Sequence, residues 1–175
     1  MKKQLIILTF FLTFCLNSCG QTKNQKQQKS SYKIDSSIVA ILPFKTSQYW
    51  LFKDCKPTEL TNDDMLKIET SLLKCINDYN PEQERQFKKI NEEHPEYELD
   101  KKNFIIDLTN YKRQYIAVLN SKGEKEVWIN CFCHTWNKNW RKELIDVNDG
   151  GNCYFNLKIN LTTGQYYELM VNGDA

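Results

Sequence analysis

Cys131-Phe132-Cys133-His134, with Cys153 downstream, is the densest gathering of chemically capable side chains in this 175-residue sequence. Two thiolates and an imidazole are suitable zinc ligands, and a thiol beside an imidazole is the start of a nucleophile and its base. Strand geometry weighs against both. Side chains alternate along a strand, so Cys131 and Cys133 share a face with Val127 and Ile129, while His134 turns to the other with Phe132 and Trp128. In that setting the thiols are small core residues, with a disulfide to Cys153 as the second outcome. The other histidine, His94, stands before Pro95, where a cationic ring complements a helix C-terminus.

Trp136 and Trp140 flank Asn137-Lys138-Asn139 in a long loop from about Thr135 to Asn152, and Arg141 and Lys142 follow. Indole rings beside polar donors suit a glycan or a protein partner. Trp128, Trp136, Trp140 and Arg141 are therefore the candidate ligand-binding residues, provided the rings form one exposed patch. The competing arrangement folds the indoles down over the end of the sheet. Asp146, Asp149, Gly150 and Gly151 match no EF-hand spacing and read as turn residues. Glu92, Glu93, Glu96, Glu98 and Asp100 read as a solvated acidic face. A phosphate-binding glycine loop, a Gly-x-Ser-x-Gly elbow, a His-Glu-x-x-His motif and a dinucleotide fingerprint are all missing, so no cofactor is expected.

The elements that must position these residues are those of an α+β domain. Ser37 to Phe44 is β-branched and stops near Pro43, which predicts a first strand, and Gln48 to Phe52 a short second one. Thr61 is a cap for the main helix, with Asp63 and Asp64 in its first turn and Met65, Ile68, Leu72, Leu73, Cys75, Ile76 and Tyr79 as its apolar stripe. Pro81 suits the first position of a second, peripheral helix that Pro95 stops. Two hairpins follow, Tyr111–Leu119 with Glu126–Cys133 and Cys153–Leu161 with Tyr166–Val171. Tyr154, Asn156, Lys158 and Asn160 oppose an apolar face, which predicts a four-stranded or larger antiparallel sheet, dry on the helix side and wet on the other. This element order loosely resembles the cystatin-like and NTF2-like arrangement, in which a curved antiparallel sheet cradles a helix.

Lys2 and Lys3 precede an apolar run from Leu5 to Leu16, which ends in Asn17-Ser18-Cys19-Gly20. The run is too short for an anchor helix and reads as a secretory signal over 1–18. Its end resembles the lipobox of bacterial lipoproteins, which implies lipidation of Cys19 and a mature chain starting there. Two or three acyl chains, at about 0.8 kcal/mol per buried methylene, hold such a protein on a membrane. Residues 19–33 form a polar tether whose lysines favour an anionic surface, and 34–175 form the single domain.

Six of the 24 basic residues lie at or before Lys33 and all 22 acidic residues lie after it, so residues 34–175 carry 18 against 22 and a charge of −4. A mildly acidic domain is no nucleic-acid partner. The chain is thus expected to be an envelope lipoprotein of the cell or outer membrane, its domain facing the periplasm, that binds an envelope protein or a glycan. The alternative is a thiol- or metal-dependent enzyme using Cys131, Cys133, His134 and Cys153.

Overall fold

A computed structural model describes residues 35–173. The signal, Cys19 and the tether lie outside the described residues. The elements run β1 (Val39–Ile41), β2 (Lys56–Pro57), α1 (Asn62–Glu93), β3 (Lys112–Leu119), β4 (Lys125–Phe132), β5 (Tyr154–Asn160) and β6 (Gln165–Val171). The α+β class holds, with one main helix on a sheet of six strands. That sheet is mixed, which corrects the expected all-antiparallel arrangement. β3, β4, β5 and β6 meander antiparallel, β1 lies parallel to β3 with Val39 opposite Arg113, and β2 pairs antiparallel with the far end of β3. A parallel neighbour needs a long crossover, and the intervening chain with α1 supplies one. Among the described residues no helix is long and apolar enough to cross a membrane.

α1 starts as its cap predicts. The Thr61 hydroxyl accepts from the Asp64 N–H at 3.2 Å, and the Asp64 carboxylate accepts from the Thr61 N–H at 2.8 Å. Met65, Ile68, Leu72, Cys75 and Ile76 are all buried. The expected second helix is instead the continuation of the first, since Pro81 lies inside it. Proline removes one N–H from the ladder, and lateral contacts hold the helix together across that gap. The Asn80 side chain accepts from the Ile106 N–H at 3.0 Å and donates to the Ile106 carbonyl at 2.9 Å, and Phe87 meets Phe104 edge to face at 5.3 Å. His94 caps the C-terminus, stacks on Tyr97 and faces Glu96 at 3.2 Å. The acidic residues around it are exposed.

One face of the sheet packs Tyr111, Tyr115, Val127, Ile129, Leu157 and Ile159 against the helix. Two polar clamps sit within this contact. Arg113, 6% exposed, holds both oxygens of Glu69 at 2.7 and 2.8 Å while the Tyr115 hydroxyl donates to the same carboxylate at 3.0 Å. Lys125 meets Asp64 at 2.7 Å.

The other face, expected to be wet, is largely covered. Leu42, Leu51 and Phe52 bury Ile116, Val118 and Trp128, and Trp140 and Ile145 bury Phe132 and Tyr154. The expected strand at Gln48–Phe52 is a 3-10 turn at Thr46–Gln48, after which Leu51 and Phe52 drop onto the sheet. The physical reason lies in β3 and β4, whose apolar residues occupy both faces, as strands buried on both sides require. Polar alternation survives in β5, where Asn156, Lys158 and Asn160 are half-buried.

Candidate functional site

The loop from 133 to 153 is fastened to the sheet by two devices. The first is covalent: Cys133 and Cys153 form a disulfide with their Cα atoms 5.1 Å apart. The Cys133 N–H also donates to the Cys153 carbonyl at 3.0 Å, extending the β4–β5 pairing past the last strand residue. The second is a pair of buried amides, Gln114 and Asn130, opposite each other on β3 and β4. Gln114 Nε2 donates to the Trp140 carbonyl and, at 2.7 Å, to that of Glu143, and its Oε1 accepts from the Ile145 N–H at 3.0 Å. Asn130 Nδ2 donates to the Ile145 carbonyl at 2.7 Å. A buried amide without partners would cost about 1–3 kcal/mol, so these side chains accept burial only with the loop in place. Gly150 closes the loop at φ +86°, where an added Cβ would lie 2.8 Å from the Tyr154 ring.

Against the disulfide opens a cleft of about 650 Å³, walled by Lys102, Asn103, Tyr111, His134 and Asn152. Its two sides are laced together by Asn152, which donates to the Lys102 carbonyl at 2.8 Å while its own carbonyl accepts the Tyr111 hydroxyl at 2.7 Å. Lys101, also on the wall, is engaged by Glu84 at 2.8 Å. The side chains of Lys102, Asn103 and His134 make no hydrogen bond to protein among the described residues, so their polar atoms are open to a ligand.

Of the four residues singled out for chemistry, three meet here. The sulfurs of Cys133 and Cys153 and a ring nitrogen of His134 lie within 4.8 Å of one another. Alternation had separated His134 from Cys133; β4 ends at Phe132 and the alternation ends with it, which corrects that expectation. Cys131 stands apart, fully buried in the helix-face core, and burial pushes its thiol far above the ordinary range. Burial likewise pushes the Cys75 thiol up to about 11. Neither supplies thiolate at neutral pH, and the thiolate is the nucleophile.

The candidate tryptophans do not form one exposed patch. Trp128 is buried beneath Trp50, whose ring meets it edge-on at 6.2 Å, and donates to Asn156 Oδ1 at 3.2 Å. Trp140 is buried edge-on against Phe132 at 5.7 Å, with the Arg141 guanidinium 4.4 Å above its ring. Arg141 in turn donates to the carbonyls of Ser36 and Ser37 at 3.1 and 3.2 Å, securing the chain ahead of β1. Trp140 covers Phe132 of β4, whereas Trp128 is itself a β4 side chain that needs a cover. Trp136 alone of these three tryptophans projects, 88% exposed. Its neighbours hold it out: the Asn137 N–H donates to Thr135 Oγ1 at 3.1 Å and Asn137 Nδ2 to Glu143 at 2.8 Å. Asp146 and Asp149 are exposed and lie in irregular chain rather than in turns.

Sequence reasoning missed Lys102, Asn103, Tyr111 and Asn152, which belong to no motif and converge only through the fold. It also missed Tyr49 and Trp50, 73% and 55% exposed, because that segment read as a strand. No protein-family model, curated protein or solved structure matches this chain.

Proposed function

We propose that this chain is a lipid-anchored binding module of the cell envelope, tethered through Cys19, whose domain takes a glycan at the disulfide-walled cleft. The observation that carries the reading is Trp136, an indole held almost wholly in solvent by a pinned loop, two residues along the chain from the cleft residue His134. An exposed ring offers apolar area at little entropic cost, and sugar rings present flat C–H faces to such a surface. Lys102 and Asn103 add unengaged donors for hydroxyl or carboxylate oxygens. A cleft of this size falls within the range of small-ligand sites.

The test is a binding screen of the full chain in detergent against immobilised neutral and acidic oligosaccharides. Trp136→Ala and Lys102→Ala are each expected to weaken the captured glycan about tenfold, the loss of one good contact of about 1.4 kcal/mol. Capture that survives both substitutions unchanged places the ligand elsewhere. Membrane attachment is tested separately, since Cys19→Ala is expected to release the chain from the membrane fraction.

A further inference from the structure

We infer that Cys133, Cys153 and His134 form a redox-gated metal site, closed as a disulfide and opened by a dithiol reductant to bind one zinc ion facing the cleft. The three ligand atoms already lie within 4.8 Å of one another. His134 is exposed and has no protein hydrogen bond among the described residues, so its ring nitrogens are unengaged. Two thiolates and one imidazole leave a fourth tetrahedral position, and the cleft supplies water or a ligand atom to it.

The geometry survives reduction. Two sulfurs on one tetrahedral zinc stand about 3.8 Å apart, given zinc–sulfur bonds of about 2.3 Å. With the Cα atoms 5.1 Å apart, side-chain rotation reaches that spacing without moving the backbone. The Cys133 N–H to Cys153 carbonyl bond and the Phe132–Tyr154 pairing hold the two cysteines side by side whether or not the sulfurs are joined. Gln114 and Asn130 keep the intervening loop on the sheet independently of the sulfur chemistry.

The chemistry balances. The reductant's dithiol becomes a disulfide as it delivers two electrons and two protons to the Cys133–Cys153 bond, giving two thiols. Zinc binding then releases both thiol protons, and the two thiolates neutralise the dication. Cys131, buried in the helix-face core, contributes no ligand. The inference is independent of whether a glycan occupies the cleft.

The experiment uses the full chain in detergent with Cys55→Ala, which removes the half-exposed free thiol. The oxidised chain and the chain reduced by a phosphine, which ends as the phosphine oxide, are each titrated with cobalt(II) and then zinc. One equivalent bound by the reduced chain alone is expected, with thiolate-to-cobalt charge-transfer absorption and tetrahedral d–d bands that zinc bleaches. His134→Ala is expected to weaken binding at least tenfold and Cys153→Ser to abolish it. Equal metal uptake by oxidised and reduced chains overturns the inference, as does binding indifferent to His134→Ala. If reduction unfolds the chain, zinc must restore its circular dichroism spectrum, and failure to refold with zinc also overturns it.

Discussion

On the helix face of the sheet, five side chains of one continuous element, Met65, Ile68, Leu72, Cys75 and Ile76, close over Tyr115, Val127, Ile129 and Leu157. On the opposite face the same strands are closed by irregular chain, Leu51 and Phe52 from one side and Trp140 and Ile145 from the other. The first cover is built by a period that one helix carries along its length, so its attachment is mostly apolar area. The second has only isolated turn bonds of its own, such as those of Leu51 to Gln48 and Lys142 to Asn139. Its 133–153 part is attached by the Gln114–Asn130 amides, by the Cys133–Cys153 bond and by the edge-on contact of Trp140 with Phe132. A helix brings its own hydrogen bonds to a sheet, whereas a loop must borrow them from the strands it covers. The exposed Trp136 and the His134 wall of the cleft belong to the borrowed cover, as binding residues on loops over a rigid scaffold commonly do, while Lys102 and Asn103 come from the chain between α1 and β3.

The difference has consequences that can be measured. Leu72→Ala, in the middle of the helix contact, is expected to cost about 4 kcal/mol through lost burial and a cavity. Urea unfolding should stay a single transition at lower midpoint, because both faces share the strands. A second transition would mean that the helix cover melts separately.

Replacing both Cys133 and Cys153 by Ser is expected to cost about 3 kcal/mol by freeing a loop of this length in the unfolded chain. In hydrogen exchange, residues 134–150 should lose protection well before α1. Uniform loss across both faces would mean that the two covers are held alike. Gln114→Leu is expected to cost about 2 kcal/mol, since it strands the Ile145 N–H and the Trp140 and Glu143 carbonyls without a partner. Cleft binding should weaken with it, although Gln114 does not line the cleft.

The smallest effect is pH-dependent and belongs to the helix face. Burial raises the Asp64 carboxyl, but hydrogen bonds from Lys125 and Thr61 outweigh it and bring the group below its ordinary 3.8. A carboxyl lowered in the folded state binds protons less readily than in the unfolded chain. Its contribution is therefore complete above about pH 3.8 and disappears as pH falls through the folded value. Asp64→Asn should lower stability at neutral pH and flatten the acid limb of the stability curve. An acid limb as steep as that of the parent would assign it to other carboxylates.

Much of the fold was legible because its signals are short-range. The Thr61 cap, the stripe from Met65 to Ile76 apart from Leu73, which is exposed, the two hairpins and the stop at Pro95 each depend on residues a few positions apart. The single helix across Pro81 was not legible, because Asn80 grips Ile106 and Phe87 meets Phe104 from a segment with no pattern of its own. The parallel placement of β1 was hidden for a related reason: a three-residue strand carries no mark of its neighbour's direction. At the candidate site, the cysteines and His134 were visible as residue types, while strand alternation, applied two residues beyond the end of β4, pointed His134 the wrong way.

The local sequence alone determined that a capped amphipathic helix starts at Thr61, that two hairpins follow and that the domain is mildly acidic, because propensity, period and charge are properties of neighbouring residues. Only the tertiary structure decided that Trp128 and Trp140 are buried and Trp136 is exposed, that Cys133 pairs with Cys153, and that His134 joins them beside Lys102 and Asn103. Those outcomes depend on which distant segments compete to cover the apolar second face of β3 and β4. That competition is settled by packing and by buried amides across the sheet, and no local pattern records it.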